Sequence, residues 1–245
     1  MEIIYGRNPV LEAIRAKREI GEIHLVADLR HAKLAEISRL ARKQGIPVKK
    51  VSKQAVLRVA GEARTQGVVA FVRGSGYVPV DEILRQSETL NEPPLIACLD
   101  SIEDPHNLGA ILRSADGAGF HGVILPKRRS AGLTATVAKT SAGASAHILT
   151  AQVANLNAVM EELKNKNIWF VGADQDAKQA YTEVDLTGSL AVVVGAEGSG
   201  LHRLVKEKCD FLVRIPMYGK VNSLNASVAA ALLFFEIRRQ RESGR

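Results

Sequence analysis

Cysteine is nearly absent from this 245-residue chain, and the two present, Cys98 and Cys209, lie within or beside apolar stretches and not in a paired motif. That excludes a disulfide scaffold and leaves both as small core residues. Six scattered histidines show no metal-ligand spacing, so no metal is expected. No apolar run approaches the ~18 residues that span a bilayer. The N-terminus, Met1-Glu-Ile-Ile-Tyr-Gly-Arg-Asn-Pro9, also lacks the charged and apolar zones of a secretion signal, so the expectation is a cytoplasmic protein with no membrane partner.

Hydrophobic residues make up 46% of the chain, enough for one large core or two smaller ones. The net charge of +7 is unevenly placed, because residues 1–75 hold 15 Lys/Arg against 7 Asp/Glu while the remainder holds 18 against 19. A neutral body with a basic module suits a polyanionic partner.

Periodicity divides the chain in the same place. Residues 1–75 read as a small α/β unit: a helix over 8–17, a strand over 22–27, a helix over 32–44 closed by Gly45, strands over 48–51 and 68–73, and a helix over 53–60. The segment 76–94 reads as a linker, with Gly-Ser-Gly at 74–76, Pro79 and the turn Asn91-Glu-Pro-Pro94, and with a short helix over 80–85. From Leu95 to the end, strands over 95–99, 122–125, 168–173, 190–194 and 211–215 alternate with helices over 108–117, 134–141 and 223–239. This pattern predicts a mostly parallel sheet covered on both faces, with ligands beyond the carboxyl ends of its strands.

Three loops follow strand ends and carry polar or glycine-rich sequence. In Leu190-Ala-Val-Val-Val-Gly-Ala-Glu-Gly-Ser-Gly-Leu201 a β-branched run stops at three glycines enclosing one carboxylate, Glu197. Glycines at 195, 198 and 200 remove side chains that would hold a polar ligand away from main-chain groups. A phosphate loop would need Gly-Lys-Ser/Thr where Leu201 and His202 stand, and a dinucleotide fingerprint would open the first βα unit. The second loop, Asp100 to Arg113, has Pro105 and Asn107 at a helix start and sets Gly109 and Arg113 one turn apart. The third, Ile215 to Val228, clusters Ser223, Asn225 and Ser227 where an apolar helix begins, more polar groups than a cap requires.

These residues resemble a known family. Asn107-x-Gly109-x-x-x-Arg113, Gly195-Ala-Glu-Gly-Ser-Gly200 and Ile215-Pro216 through Ser223-Leu-Asn-Ala-Ser227 are similar to the three motifs of the SpoU (TrmH-type) RNA ribose 2′-O-methyltransferases of the SPOUT superfamily. Tyr5-Gly-Arg-Asn-Pro9 and the basic unit after it resemble the RNA-binding domain of the bacterial large-subunit ribosomal RNA guanosine methyltransferases. The resemblance implies a methyltransferase domain over 95–245 with a C-terminal trefoil knot, and a homodimer with sites near the interface. The implied cofactor is S-adenosylmethionine, held around Gly195, Ala196, Gly198, Ile215, Ser223 and Leu224. The implied substrate is a guanosine ribose of 23S ribosomal RNA. Two alternatives stand beside it: a transfer RNA enzyme of the same family, and a catalytically silent RNA-binding protein.

For the chemistry, Arg113, Asn107, Glu197, Ser223 and Asn225 are the expected catalytic set. The family's proposal makes Arg113 the base, but bringing an arginine to half-neutrality near pH 7 costs about 7.5–9 kcal/mol. Arg113 is therefore expected to stay protonated, stabilising alkoxide and orienting phosphate. Asn107 would bond the ribose or Arg113. Glu197 would anchor its loop or orient the arginine, and Ser223 and Asn225 would place the acceptor nucleotide.

Overall fold

The structure, a computed structural model, describes residues 2–27, 29, 31–60, 65–72 and 76–243. Arg73, expected to end a strand, and Gly74-Ser75 of the expected linker lie outside the described residues. The chain forms two compact units, Met1–Gly76 with Gly132–His147, and Tyr77–Ala131 with Ile148–Arg245.

The first unit follows the order β1 (Glu2–Tyr5), α1 (Arg7–Arg15), β2 (Ile20–Val26), α2 (Ala32–Lys43), β3 (Val48–Val51), α3 (Lys53–Ala60) and β4 (Val68–Val72). Its sheet has the order β1-β4-β2-β3, with β2 and β3 parallel and the other pairs antiparallel. Helix α2 ends as its sequence requires. Gly45 just beyond it takes φ +70, and Ile46 N–H reaches back 2.9 Å to the Ala41 carbonyl. Arg39, Arg42 and Lys43 on α2 are exposed, as are Lys49 and Lys50 on the edge strand β3.

The second unit opens with α4 (Val80–Leu90), β5 (Leu95–Asp100), α5 (Pro105–Gly117) and β6 (Gly122–Pro126). The chain then contributes α6 (Ala135–Thr140) to the first unit and returns for β7 (Leu149–Val153), α7 (Leu156–Lys164), β8 (Trp169–Ala173), β9 (Gln179–Ala180), β10 (Leu190–Gly195), α8 (Arg203–Lys208), β11 (Phe211–Arg214) and α9 (Ala226–Ser243). All pairings are parallel, in the order β7-β6-β5-β10-β8-β11-β9. Strands β5 and β10 are buried at every residue, which is why they read as unbroken apolar runs. Ile96, Cys98, Ala191 and Val193 pack with Ile83 of α4, Met160 of α7 and Val205 of α8, while α5 and α9 pack on each other. The register pairs Gly195 with Asp100, so the β5 and β10 loops leave the sheet side by side.

Two expected domain boundaries and one helix start change. The segment 76–94 is not a linker: α4 buries Ile83 completely and Leu84 nearly so, against Ile96 and Ile124. The region 95–245 is not one uninterrupted domain either. Helix α6, expected among the sheet's crossovers, lies on the edge strand β1, and Ala138 joins the core of Val10, Ile14 and Ile37. His147 Nε2 meets Glu12 Oε2 at 2.8 Å, and a Cβ on Gly143 would collide with Glu12 Cγ at 2.6 Å. The helix expected over 223–239 begins only at Ala226. It buries Ala230, Leu233, Phe234 and Ile237 but leaves Val228, Leu232 and Phe235 exposed, so within one chain it is covered from one side only.

The packing of α4 makes a testable demand on β6. A Cβ at Gly122 would come within 2.6 Å of two Ile83 carbons. Gly122→Ala is therefore expected to cost about 1–3 kcal/mol by overpacking, read as a lower denaturant midpoint. Because the two residues share one space, combining it with Ile83→Ala should cost less than the separate losses added.

Candidate active site

The site is built where β5, β10 and the segment before α9 end. Asp100, the last residue of β5, is buried, and its carboxylate accepts from His202 N–H at 2.7 Å while meeting His202 Nδ1 at 2.9 Å. That pins the far end of the β10 loop to the neighbouring strand. Within the loop, Ala196 and Gly200 exchange main-chain hydrogen bonds of 3.1 and 2.9 Å. A Cβ on Gly195 would stand 2.2 Å from the Gly200 carbonyl carbon, and Gly198 and Gly200 hold φ of +85 and +66. Gly195 is therefore required by the loop's own return past it, a reason the sequence did not show beside the ligand's approach expected from it.

Asn225 then ties the three loops together. It, and not Ser223, caps α9: Asn225 Oδ1 accepts from Ser227 N–H at 2.9 Å and from Ser227 Oγ at 2.6 Å. Its Nδ2 donates to Asn107 Oδ1 and to Glu197 Oε2, both at 2.9 Å. Asn107 Nδ2 faces the same Glu197 oxygen at 3.4 Å. Asn107 reaches this point because α5 starts two residues earlier, with Pro105 in its first turn and Asp104 accepting from His106 N–H at 2.8 Å.

Two cavities meet at this network. One, of about 400 Å³, is walled by the β10 loop, the 173–176 turn and the 215–226 segment, and includes Gly195, Ala196, Gly198, Ile215, Ser223 and Leu224. The other, of about 500 Å³, holds Asn107, Arg129 and His202. Ala196, Glu197 and Ser199 belong to both walls. In the first, Lys206 Nζ lies 2.6 Å from Asp174 Oδ2, and that hydrogen bond raises the lysine above its ordinary pKa. Burial pushes the Cys209 thiol up to about 12 and the Cys98 thiol higher still, so neither supplies a thiolate near neutrality.

Asn107, Glu197 and Asn225 are thus brought together, and all six residues expected around a cofactor line one cavity. Glu197 accepts from the two asparagines, which suits loop anchoring. Arg113 is not brought in: it is exposed on α5, lines neither cavity, and has no hydrogen-bond or ionic partner among the described residues. Asp174, Lys206, His202 and Arg129 are additional. Asp174 follows the end of β8, so the strand-end rule applied to every strand would have found it.

Parallel strands ending on a tightly returned backbone loop, with an amide and carboxylate cluster between two cavities, define a protein that holds organic ligands at the carboxyl edge of its sheet. Residues 94–235 match the SpoU rRNA methylase family, and residues 3–78 match the RNA 2′-O ribose methyltransferase substrate-binding domain. The Bacillus subtilis chain YacO, named within the TrmH family of tRNA/rRNA methyltransferases, is 44% identical over 98% of this chain and 96% of its own length. The SpoU methyltransferase AviRb from Streptomyces viridochromogenes superposes with a TM-score of 0.84 at 26% identity, covering 100% of this chain and 91% of AviRb. In complex with S-adenosylmethionine, AviRb superposes at 0.82 and 26% identity over 99% of this chain and 91% of its own. The chain belongs to the SpoU methylase family. It is an S-adenosylmethionine-dependent RNA methyltransferase with the α/β SPOUT architecture.

The return of the β10 loop supplies a direct check. Gly195→Ala is expected to leave the global unfolding transition in place while lowering cofactor affinity at least tenfold, because backbone and not a flexible side chain would have to move. Calorimetric titration with S-adenosylmethionine reads this, and undiminished affinity would show that the loop's path is not needed.

Proposed function

We propose that this protein methylates the 2′-hydroxyl of a guanosine in 23S ribosomal RNA, with the donor in the first cavity and the acceptor ribose in the second. The observation that carries this reading is the shared wall, where Glu197, held by Asn107 and Asn225, fronts both cavities. S-adenosylmethionine supplies the methyl group as a sulfonium electrophile. The first cavity fits it: Val194, Val213, Ile215 and Leu224 offer apolar surface, and Asp176 and Glu197 offer carboxylates to a cationic ligand. Its volume lies within the ~300–1,000 Å³ of ligand pockets. The trefoil knot belongs to the same reading through the family resemblance, and parts of its two loop segments, 195–201 and 215–226, line a single cavity.

In this reading Asn107 and Asn225 fix the acceptor wall, and Ser223 sits beside the donor. The substrate rests on the match of residues 3–78 and on the basic side chains exposed on α2 and β3. Nucleoside analysis of RNA incubated with the protein and labelled S-adenosylmethionine should yield 2′-O-methylguanosine from 23S RNA. Label confined to transfer RNA would move the assignment to the alternative substrate. Cofactor binding without transfer to any RNA would indicate a silent RNA-binding protein.

The exposed stripe of Val228, Leu232 and Phe235 recurs at helical spacing and supports a homodimer through α9. Arg113, absent from the cavities of its own chain, would then reach the partner subunit's site as a cation beside the developing alkoxide. Mixing Arg113→Ala with Glu197→Gln protein tests this. Mixed dimers would hold one intact site each, so an exchanged mixture should recover about a quarter of wild-type activity. No recovery, with subunit exchange demonstrated, would place Arg113 in its own chain's site, and full activity of Arg113→Ala by itself would place it outside catalysis.

A further inference from the structure

The arginine that does face the acceptor cavity is Arg129. It stands in the run Lys127-Arg128-Arg129 after β6 and lines the cavity with Asn107, Glu197 and His202. Among the described residues it has no hydrogen-bond or ionic partner, unlike its cavity neighbours Asp104, which caps α5, Glu197, which accepts from two asparagines, and His202, which is held by Asp100. Its backbone is in the left-handed region, φ +54, uncommon for a residue with a side chain. The loop is fixed on both sides of it: Lys127 N–H donates to the Val153 carbonyl and Ala131 N–H to the Ile102 carbonyl, both at 2.8 Å. A strained residue at the tip of a pinned loop, with its cation unspent and beside a candidate site, is the kind of outlier from which a role can be argued.

We infer that Arg129 binds the phosphodiester on the 3′ side of the target ribose and so sets the 2′-hydroxyl against the Asn107–Glu197 wall. The 2′-hydroxyl and the 3′-phosphate sit on adjacent ribose carbons, so a group in the same cavity as the acceptor wall is within reach of that phosphate. Guanidinium has the planar fork that phosphate oxygens accept bidentately. Carboxylates of Glu103, Asp104 and Glu197 share the cavity, so an anion there depends on this cation. The inference rests on the reading of the second cavity as the acceptor site.

The test compares full-length wild type, Arg129→Gln and Arg129→Lys. It measures binding of a 23S ribosomal RNA transcript over a salt series, methyl incorporation into that transcript, and cofactor affinity. Arg129→Gln should bind the RNA about tenfold more weakly. The slope of log K against log salt should be shallower by about 0.7–0.9, one phosphate contact. Its KM for RNA should rise while cofactor affinity and unfolding stay unchanged. Arg129→Lys should restore the slope and part of the affinity. Unaltered affinity and slope in Arg129→Gln would overturn the inference, as would a loss of cofactor affinity, which would make Arg129 a support of the donor cavity. Failure of the underlying reading looks different. If the wild type transfers no methyl group to ribose yet its salt slope still depends on Arg129, the phosphate contact stands and the cavity's assignment falls.

Discussion

One side-chain amide holds this site together. Asn225 uses both N–H donors on Asn107 and Glu197 and takes both Ser227 donors on its oxygen, so four bonds of a single planar group join the loop after β10 to the starts of two helices, α5 and α9. Aspartate would lose the two donors and face Glu197 with like charge, and serine would be too short to reach both. Because the amide also caps α9, the orientation of that helix and the position of the wall shared by the two cavities are set by one rotamer. Loss of any partner leaves a polar group unpaired within the cluster.

Much of the architecture was legible because its cause is local. Fully buried parallel strands must read as apolar runs, and Gly45 follows α2 for the reason any C′ glycine does. Most of the missing elements have weaker signatures, although α7 does not, since its buried Leu156, Met160 and Leu163 recur at helical spacing after the capping Asn155. Strand β7 lies at a sheet edge, β9 has two residues, and α8 is a six-residue helix. Helix α4 was legible in part as a helix over 80–85, but its burial depends on Gly122 in β6, a pairing that nothing in the local sequence announces. The membership of α6 in the first unit is likewise a matter of long-range packing.

The site divides the same way. Glycines and polar clusters at strand ends marked the three loops, since chemistry at the carboxyl edge of a parallel sheet leaves that trace. Their physical reasons were only partly readable: the sequence could not show that Gly195 makes room for Gly200, or which of the clustered polar residues, Asn225, caps α9. Arg113 carries the opposite lesson. A motif groups residues by their order along the chain, and the fold leaves this one outside both cavities of its own chain.

The insertion of Gly132–His147 into the first unit sets a schedule for synthesis. The core around Val10 and Ile14 lacks Ala138, and the edge strand β1 lacks its covering helix, until the ribosome has passed residue 147. At ~5–20 residues/s the wait after Gly76 is roughly 4–14 s. During that interval the first unit presents an open strand edge and an unfilled apolar groove, and at its close five of the seven strands of the parallel sheet have yet to be made. The N-terminal unit therefore cannot mature ahead of its neighbour as an independent bead on the nascent chain, and nascent copies are exposed to edge-to-edge pairing until α6 arrives.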